Sequence, residues 1–417
     1  MKVTLFISLF LFQLGFSQHM SCGTEAQLEL LMNDSIAKQK HLDFQKKFNS
    51  ELEKLQNPQN EAARSTNAVI NIPIAVHFPS IAANSTNREC LRQLAQNQID
   101  ILNAAFSATN SALSLWTPQV RAFYPGTNVG NANMKFVLAT KNHPAGAGLT
   151  NGQSAITFGT SFLNDAIREI NWKGYLNIVV RDISNAGYYT GGTPNEGNVV
   201  VIKNICFGSG AGCPEYVPTN GWHLGQTLLH EVGHYFDLHH TFGKAPGDNV
   251  CLPSNTDYVD DTPQCLMTTD WGPVLGSIPG CVAGTKALTM NYMDYTLDGN
   301  KWMFTAGQVL RMRAYYNTFA SQFATNVLLS NQDFEFKDFS LYPNPNTGSF
   351  KISFLPETNE GINIQVLDIS GRNIYNKTFD NSGMFDQELQ VNTISSGLYF
   401  VNIQNGNNKM IKRIVVE

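Results

Sequence analysis

Residues 230–243 read HEVGHYFDLHHTFG, with four histidines and one glutamate in the first eleven positions. On a helix, His230 and His234 lie one turn apart on one face, so both imidazoles can reach one ion. This HExxH spacing is that of a zinc site. Glu231, beside the first ligand, can sit close to a metal-bound water without binding the metal. Zinc lowers the pKa of such a water, Glu231 can take its proton, and the hydroxide can attack a carbonyl. A catalytic zinc needs three protein ligands and an open position. The longer spacing HExxHxxGxxH places the third ligand ten residues after the first, which selects His240 over His239. Asp237 stands at the glycine of that pattern. Glycine supplies a left-handed or strained backbone there, and Asp and Asn are the next-best residues for it.

The elements that must position these side chains are legible as periodicities. LGQTLLHEVGHYFDL (224–238) predicts the ligand helix. Before it, VINIPIAVHF (69–78), MKFVLAT (134–140), YLNIVVRDI (175–183) and GNVVVIKNI (197–205) predict strands. QLAQNQIDILNAAFSATN (93–110) predicts a second helix, with Leu94, Ile99, Leu102 and Phe106 on its apolar face. Strands and helices alternate, so the central block reads as α/β. Residues 25–56 carry early charge and no glycine or proline, and predict one or two amphipathic helices. The polar connector 57–67 follows, with Arg64 and Ser65 open to a protease. From about Ser330 the helical period is gone. Short strands separated by NPNTG, SGR and QNGNN predict a small all-β sandwich of about eighty residues.

The chain has 417 residues, 28 Lys+Arg, 33 Asp+Glu and a net charge of −5. That length exceeds one ordinary domain, and no basic block points to nucleic acid. Lys2 followed by the apolar run from Val3 to Phe16, with Gly15 and Ser17 before Gln18, reads as a secretory signal peptide over 1–17. No other run approaches the roughly 20 apolar residues of a transmembrane helix. Export permits disulfides. The seven cysteines are an odd number, and Cys22 stands far from the rest. The remaining six leave their pairing open, although Cys206 and Cys213 bracket a tight glycine-rich loop that could close locally.

HEVGHYFDLHHTFG followed by NYMDYTLDGNKWMFTAGQVLRM (291–312) resembles the pappalysin branch of the metzincin metallopeptidases. The likeness runs over about 250 residues, in the family's order of elements. It implies a metzincin-like α/β catalytic domain, with a mixed twisted sheet, an active-site helix and an irregular C-terminal subdomain. A helical pro-segment precedes it. The resemblance implies His230, His234 and His240 as zinc ligands and Glu231 as general base. Met293 matches the methionine beneath the metal, and Tyr295 the tyrosine that serves the metal site or the oxyanion. Cys251 and Cys281 match a family disulfide. Asn300 stands where relatives carry a cysteine, which leaves Cys265 without an obvious partner. TDYVDDTPQ (256–264) resembles a calcium-binding segment, with Asp257 and the carbonyls of Val259 and Thr262 as ligands. SCGTEAQ (21–27) resembles the cysteine motif of related proforms, where Cys22 would occupy the open zinc position until the pro-segment is cut. Lys301, near the expected S1′ wall, would disfavour Arg or Lys at P1′.

YPNPNTG (342–348), VLDISGR (366–372), SSGLYFVNI (395–403) and KMIKRIVVE (409–417) resemble the C-terminal sorting domain of the type IX secretion system. Together these readings divide the chain into a signal peptide (1–17), a pro-segment (18–64), a peptidase domain (65–325), a linker (326–337) and a sorting domain (338–417). They predict a secreted or surface-attached zinc metalloendopeptidase made as a zymogen, with calcium as a second cation. Its partners would be protein or peptide substrates and the type IX machinery. The rival expectation is a non-catalytic secreted adhesin on the same fold, which the Asp237 substitution favours.

Overall fold

The computed structural model describes residues 21–57, 69–81, 86–160, 163, 168–219, 221–243, 250–268, 270–328, 336–368, 372–391, 394–406 and 408–417. The signal peptide and the Arg64 connector lie outside the described residues. The chain divides into two compact units, Met1–Leu328 and Leu329–Glu417.

The first unit opens with two helices, α1 (Thr24–Asn33) and α2 (Ser35–Gln56). Asp34 separates them, accepting from the Ala37 amide as an N-cap. Strand β1 (Ile70–Phe78) leads into α3 (Arg88–Phe106), β2 (Met134–Leu138), β3 (Ile156–Phe158), β4 (Leu176–Arg181), β5 (Gly187–Tyr189) and β6 (Val199–Lys203). The sheet runs β2-β1-β4-β6-β5, with β3 also on β1. All pairings are parallel except β5 with β6. The parallel strands are continuous runs of buried Val and Ile, as expected for a sheet covered on both faces. Pro73 fits in β1 because it pairs with β2 only. The β4 register begins one residue later, at Ile74.

The antiparallel β5 is the edge strand of the sheet, beside the ligand helix. It lies between β4 and β6 at the start of a glycine-rich stretch. The ligand helix α4 (Gln226–Tyr235) and the closing helix α5 (Ala306–Phe319) complete the unit. Leu228, Leu229, Val232 and Phe236 join α4 to the core formed by Ile74, Ile178 and Val200. Phe44 stacks on Phe319 and packs edge-on to Tyr315, which seats α2 on α5.

The second unit is two antiparallel sheets. One holds β9 (Ile362–Asp368), β10 (Asn373–Phe379), β12 (Gly397–Asn405) and β13 (Asn408–Val416), and the other β7 (Lys337–Tyr342), β8 (Ser349–Leu355) and β11 (Phe385–Gln390). Alternating residues such as Phe350, Ile352 and Phe354 meet Ile364, Val366 and Val401 between them, as the period-2 pattern predicts.

Candidate metal centre

The sequence predicts a helix running to Leu238, but α4 ends at Tyr235. Asp237 takes φ +64°, and the Leu238 amide returns to the Gly233 carbonyl. This left-handed C-terminal closure is usually built with glycine. Here Arg311, from α5, donates to the Asp237 carbonyl at 3.1 Å and to its carboxylate at 2.8 Å. Gln45 of α2 donates to the other carboxylate oxygen at 3.2 Å. The turn keeps its shape without the glycine, and the chain continues to His240.

His230, His234 and His240 are brought together with their Nε2 atoms 3.1–3.2 Å apart. His230 Nδ1 donates to the Tyr292 carbonyl at 2.7 Å, and His234 Nδ1 to the Leu238 carbonyl at 2.8 Å. A carbonyl only accepts, so in both rings the single proton of the neutral form is on Nδ1. Their Nε2 lone pairs therefore face one another with no proton between them. Burial holds both imidazoles well below their ordinary pKa, and each is further opposed by its histidine neighbours. Such a cluster is repulsive without a cation. Zinc–nitrogen bonds of about 2.0–2.1 Å in a tetrahedron separate ligand atoms by about 3.3 Å, so the three rings fit that ion. His239 is outside the cluster, with its ring 5.3 Å from Tyr258.

Glu231 is fully buried, and burial pushes its carboxyl up to about 7. Met293 packs beneath the site. A Cβ placed on Gly233 would come within 2.4 Å of its sulfur, which explains the second x of HExxH better than helix propensity does. Tyr295 sets its ring 4.8 Å from that of His240 and 5.8 Å from that of His230.

Residues 21–25 fill this space. Cys22 bridges β5 at Gly187, the Gly23 amide donates to the Gly187 carbonyl, and the Ala186 amide to that of Ser21. The Cys22 sulfur and one ring nitrogen of each of the three histidines lie within 4.8 Å of one another. Its thiol also contacts Glu231 Oε2 at 3.5 Å. Thr24 Oγ1 donates to the same oxygen at 2.9 Å, and Glu25 faces His240 Nδ1 at 3.5 Å. Sequence reasoning missed Thr24, Glu25, Gly233 and Arg311. Gly233 left a signal as a glycine inside a helix, and Thr24 and Glu25 lie within the SCGTEAQ stretch without a role of their own there.

Two cysteine expectations are corrected or refined. Cys213 bonds Cys90, not Cys206, which is a buried free thiol. The short loop between 206 and 213 is tied instead to α3, where Gln98 accepts from the Gly208 amide and Asn97 from the Ser209 amide, and the disulfide fixes its end to the same helix. Cys251 and Cys281 are bonded, and Cys265 is free and buried. At the acidic turn, Asp257 accepts from Thr262 Oγ1 at 2.6 Å and from the Val259 amide at 3.1 Å. The Val259 carbonyl also accepts from Thr262 Oγ1, at 2.8 Å.

A ligand helix, a turn to a third histidine and a methionine floor beneath them, on a mixed sheet with an antiparallel rim, define a metzincin-like metallopeptidase fold. The family model described as pregnancy-associated plasma protein-A matches residues 163–317, and that of the secretion system C-terminal sorting domain matches 340–417. Residues 163–317 thus resemble the pappalysin-family peptidases and residues 340–417 the sorting tails. An extracellular metalloprotease of Colletotrichum graminicola is 34% identical over 149 residues, 35% of this chain and 50% of that one. One from Verticillium alfalfae is 41% identical over 97 residues, 23% of this chain and 33% of that one. The chain spans half or less of the length of these curated relatives. A promirolysin variant of Tannerella forsythia is similar in structure, at 26% identity and a TM-score of 0.51, covering 72% of this chain and 94% of that one. The sorting tail and the extracellular relatives make this a secreted or cell-surface chain. No described helix is long and apolar enough to cross a membrane.

Proposed function

We propose that the chain is the proform of a zinc-dependent endopeptidase acting on extracellular proteins or peptides. The observation that carries this is the convergence of the His230, His234 and His240 Nε2 atoms, the first two left unprotonated by their Nδ1–carbonyl bonds, beside the buried Glu231 carboxyl. Zinc held by His230, His234 and His240 would supply Lewis acidity toward water and a peptide carbonyl. Glu231 then takes a proton from the attacking water and returns it to the leaving amine. The Tyr295 phenol, on the same side of the histidines, donates to the oxygen that gains charge. A substrate strand pairs antiparallel with β5 and brings its scissile bond over the cluster.

Latency belongs to the same proposal. Cys22 occupies the fourth ligand position, and cutting in the connector that contains Arg64 releases it. Calcium on Asp257 and the carbonyls of Val259 and Thr262 is a further part of the proposal, and it requires Thr262 Oγ1 to release Asp257. The type IX machinery is the proposed partner of the tail.

The test is a peptide-library digest by the processed enzyme, with a chelator and zinc re-addition. Glu231→Ala should retain zinc and lose about 10²-fold or more in kcat. A wild-type protein that binds zinc, is fully processed and cleaves nothing would leave the adhesin reading standing.

A further inference from the structure

Beside Glu231 lies a small pocket, about 20 Å³ while Cys22 lines it, whose wall includes His230, Glu231, Trp222, Trp271, Tyr295 and Lys301. Cys22 also lines it in the proform, so removal of the pro-segment opens it toward the histidine cluster. Its sides are aromatic: the Trp222 and Trp271 rings pack edge-to-face with centroids 6.2 Å apart. Lys301 is only 4% exposed, with its Nζ 5.8 Å above the Trp222 ring.

A buried ammonium is costly unless its charge is answered. Among the described residues, the Lys301 ammonium makes no ion pair or hydrogen bond. The nearby carboxylates are partly committed elsewhere, with Asp298 Oδ1 left without a hydrogen-bond partner among the described residues. Asp298 Oδ2 accepts from the Leu224 and Gln226 amides at the start of α4. Asp294 accepts from the Tyr295 amide and from Thr268. Burial lowers the Lys301 pKa, while Asp298, Asp294 and Glu231 pull it back up. These acids act on the lysine through space, and none of them is in contact with it.

We infer that this pocket takes an acidic side chain, glutamate or aspartate, of a substrate residue flanking the scissile bond, with Lys301 as its counter-ion. The inference rests on the peptidase reading above. The aliphatic part of a glutamate would lie between the two tryptophans and its carboxylate would reach Nζ. A Lys or Arg side chain would bring a second buried cation and is excluded.

The experiment is the chelator-controlled library digest, followed by kcat/KM on matched peptides with Glu, Gln, Leu or Lys at the selected position. Glu or Asp should dominate one of the two positions flanking the cut, with Glu favoured over Gln by about tenfold or more. Lys301→Met should bring the Glu-to-Gln ratio to about one, and Lys301→Arg should preserve it. A ratio is insensitive to a general loss of folded enzyme. Chelator-sensitive cleavage that favours Leu or Lys at both flanking positions would overturn the inference and leave the peptidase reading intact. So would a Glu-to-Gln ratio unchanged in Lys301→Met. Absence of any chelator-sensitive cleavage would remove both.

Discussion

The Arg311 guanidinium holds Asp237 by both its carboxylate, at 2.8 Å, and its backbone carbonyl, at 3.1 Å. Asp237 is the left-handed residue between the second and third histidines. The pair stands in for the freedom of a glycine: a side chain that resists this backbone is held in it by a cation from another helix. Asp237→Gly relieves strain but leaves Arg311, 6% exposed, with only a carbonyl. The expected net loss in the proform is about 1–3 kcal/mol. Asp237→Ala loses the pair and keeps the strain, so it should cost more. Adding Arg311→Met to Asp237→Gly should recover much of the loss. Denaturant unfolding of wild type, Asp237→Gly, Arg311→Met and the double variant measures the coupling, and strict additivity would remove the pair's assigned role.

The ligand assignment predicts a contrast between adjacent histidines. His240→Ala should lose stoichiometric zinc, whereas His239→Ala should keep it, because the His239 ring packs on Tyr258 away from the cluster. Metal analysis of the purified variants decides, and an equal loss in both would place the third ligand wrongly.

Latency should be layered. Thr24 bonds Glu231 and Glu25 faces His240 independently of the cysteine sulfur. An uncut Cys22→Ala proform should therefore gain peptidase activity but stay below the mature enzyme. Adding Thr24→Val and Glu25→Gln should raise it further. A Cys22→Ala proform as silent as the wild type would argue against the sulfur as the blocking ligand.

His77 predicts a pH effect remote from the metal. It is fully buried against Trp172, bonded to Thr157 and Asn177, and burial brings its pKa down to about 4. The unfolded chain binds a proton near 6.5 that the folded chain refuses. Stability is therefore full above about pH 6.5 and falls as pH drops toward 4, by up to about 3 kcal/mol. Thermal unfolding against pH should be flatter in this window for His77→Gln, and an unchanged profile would contradict the assignment.

The Cys90–Cys213 disulfide closes a separation of 123 residues. Cys90→Ser should cost about 2–5 kcal/mol, and Cys206→Ser much less. Non-reducing peptide mapping should find Cys206 as a free thiol, and a 206–213 linkage would refute the pairing.

What the sequence discloses here follows the distance over which each feature is encoded. His230, Glu231 and His234 are fixed by one helical turn, and His240 by a short spacing, so periodicity finds them. The Val-rich strands carry their burial in their composition. The grip of Arg311 on Asp237 spans 74 positions and leaves no local trace. Cys213 had a near neighbour in Cys206 and a true partner on α3, and proximity along the chain favoured the wrong one. The rim strand β5 is three residues of Gly and Tyr, defined by its pairing with β6 and not by its own pattern. The ligand helix stops short of its apolar period because a left-handed residue ends it.

The bridge between Cys22 and Gly187 is parallel. A substrate paired antiparallel with the same rim would run the other way, with its carbonyls presented in the opposite order to the histidines. The leader thus lies in the cleft back to front. If the groove cuts peptides as proposed, such a leader can fill it without offering a bond in the orientation the groove cuts, and the severing cut would fall elsewhere in the leader, on a stretch that some cleft can receive in the forward sense.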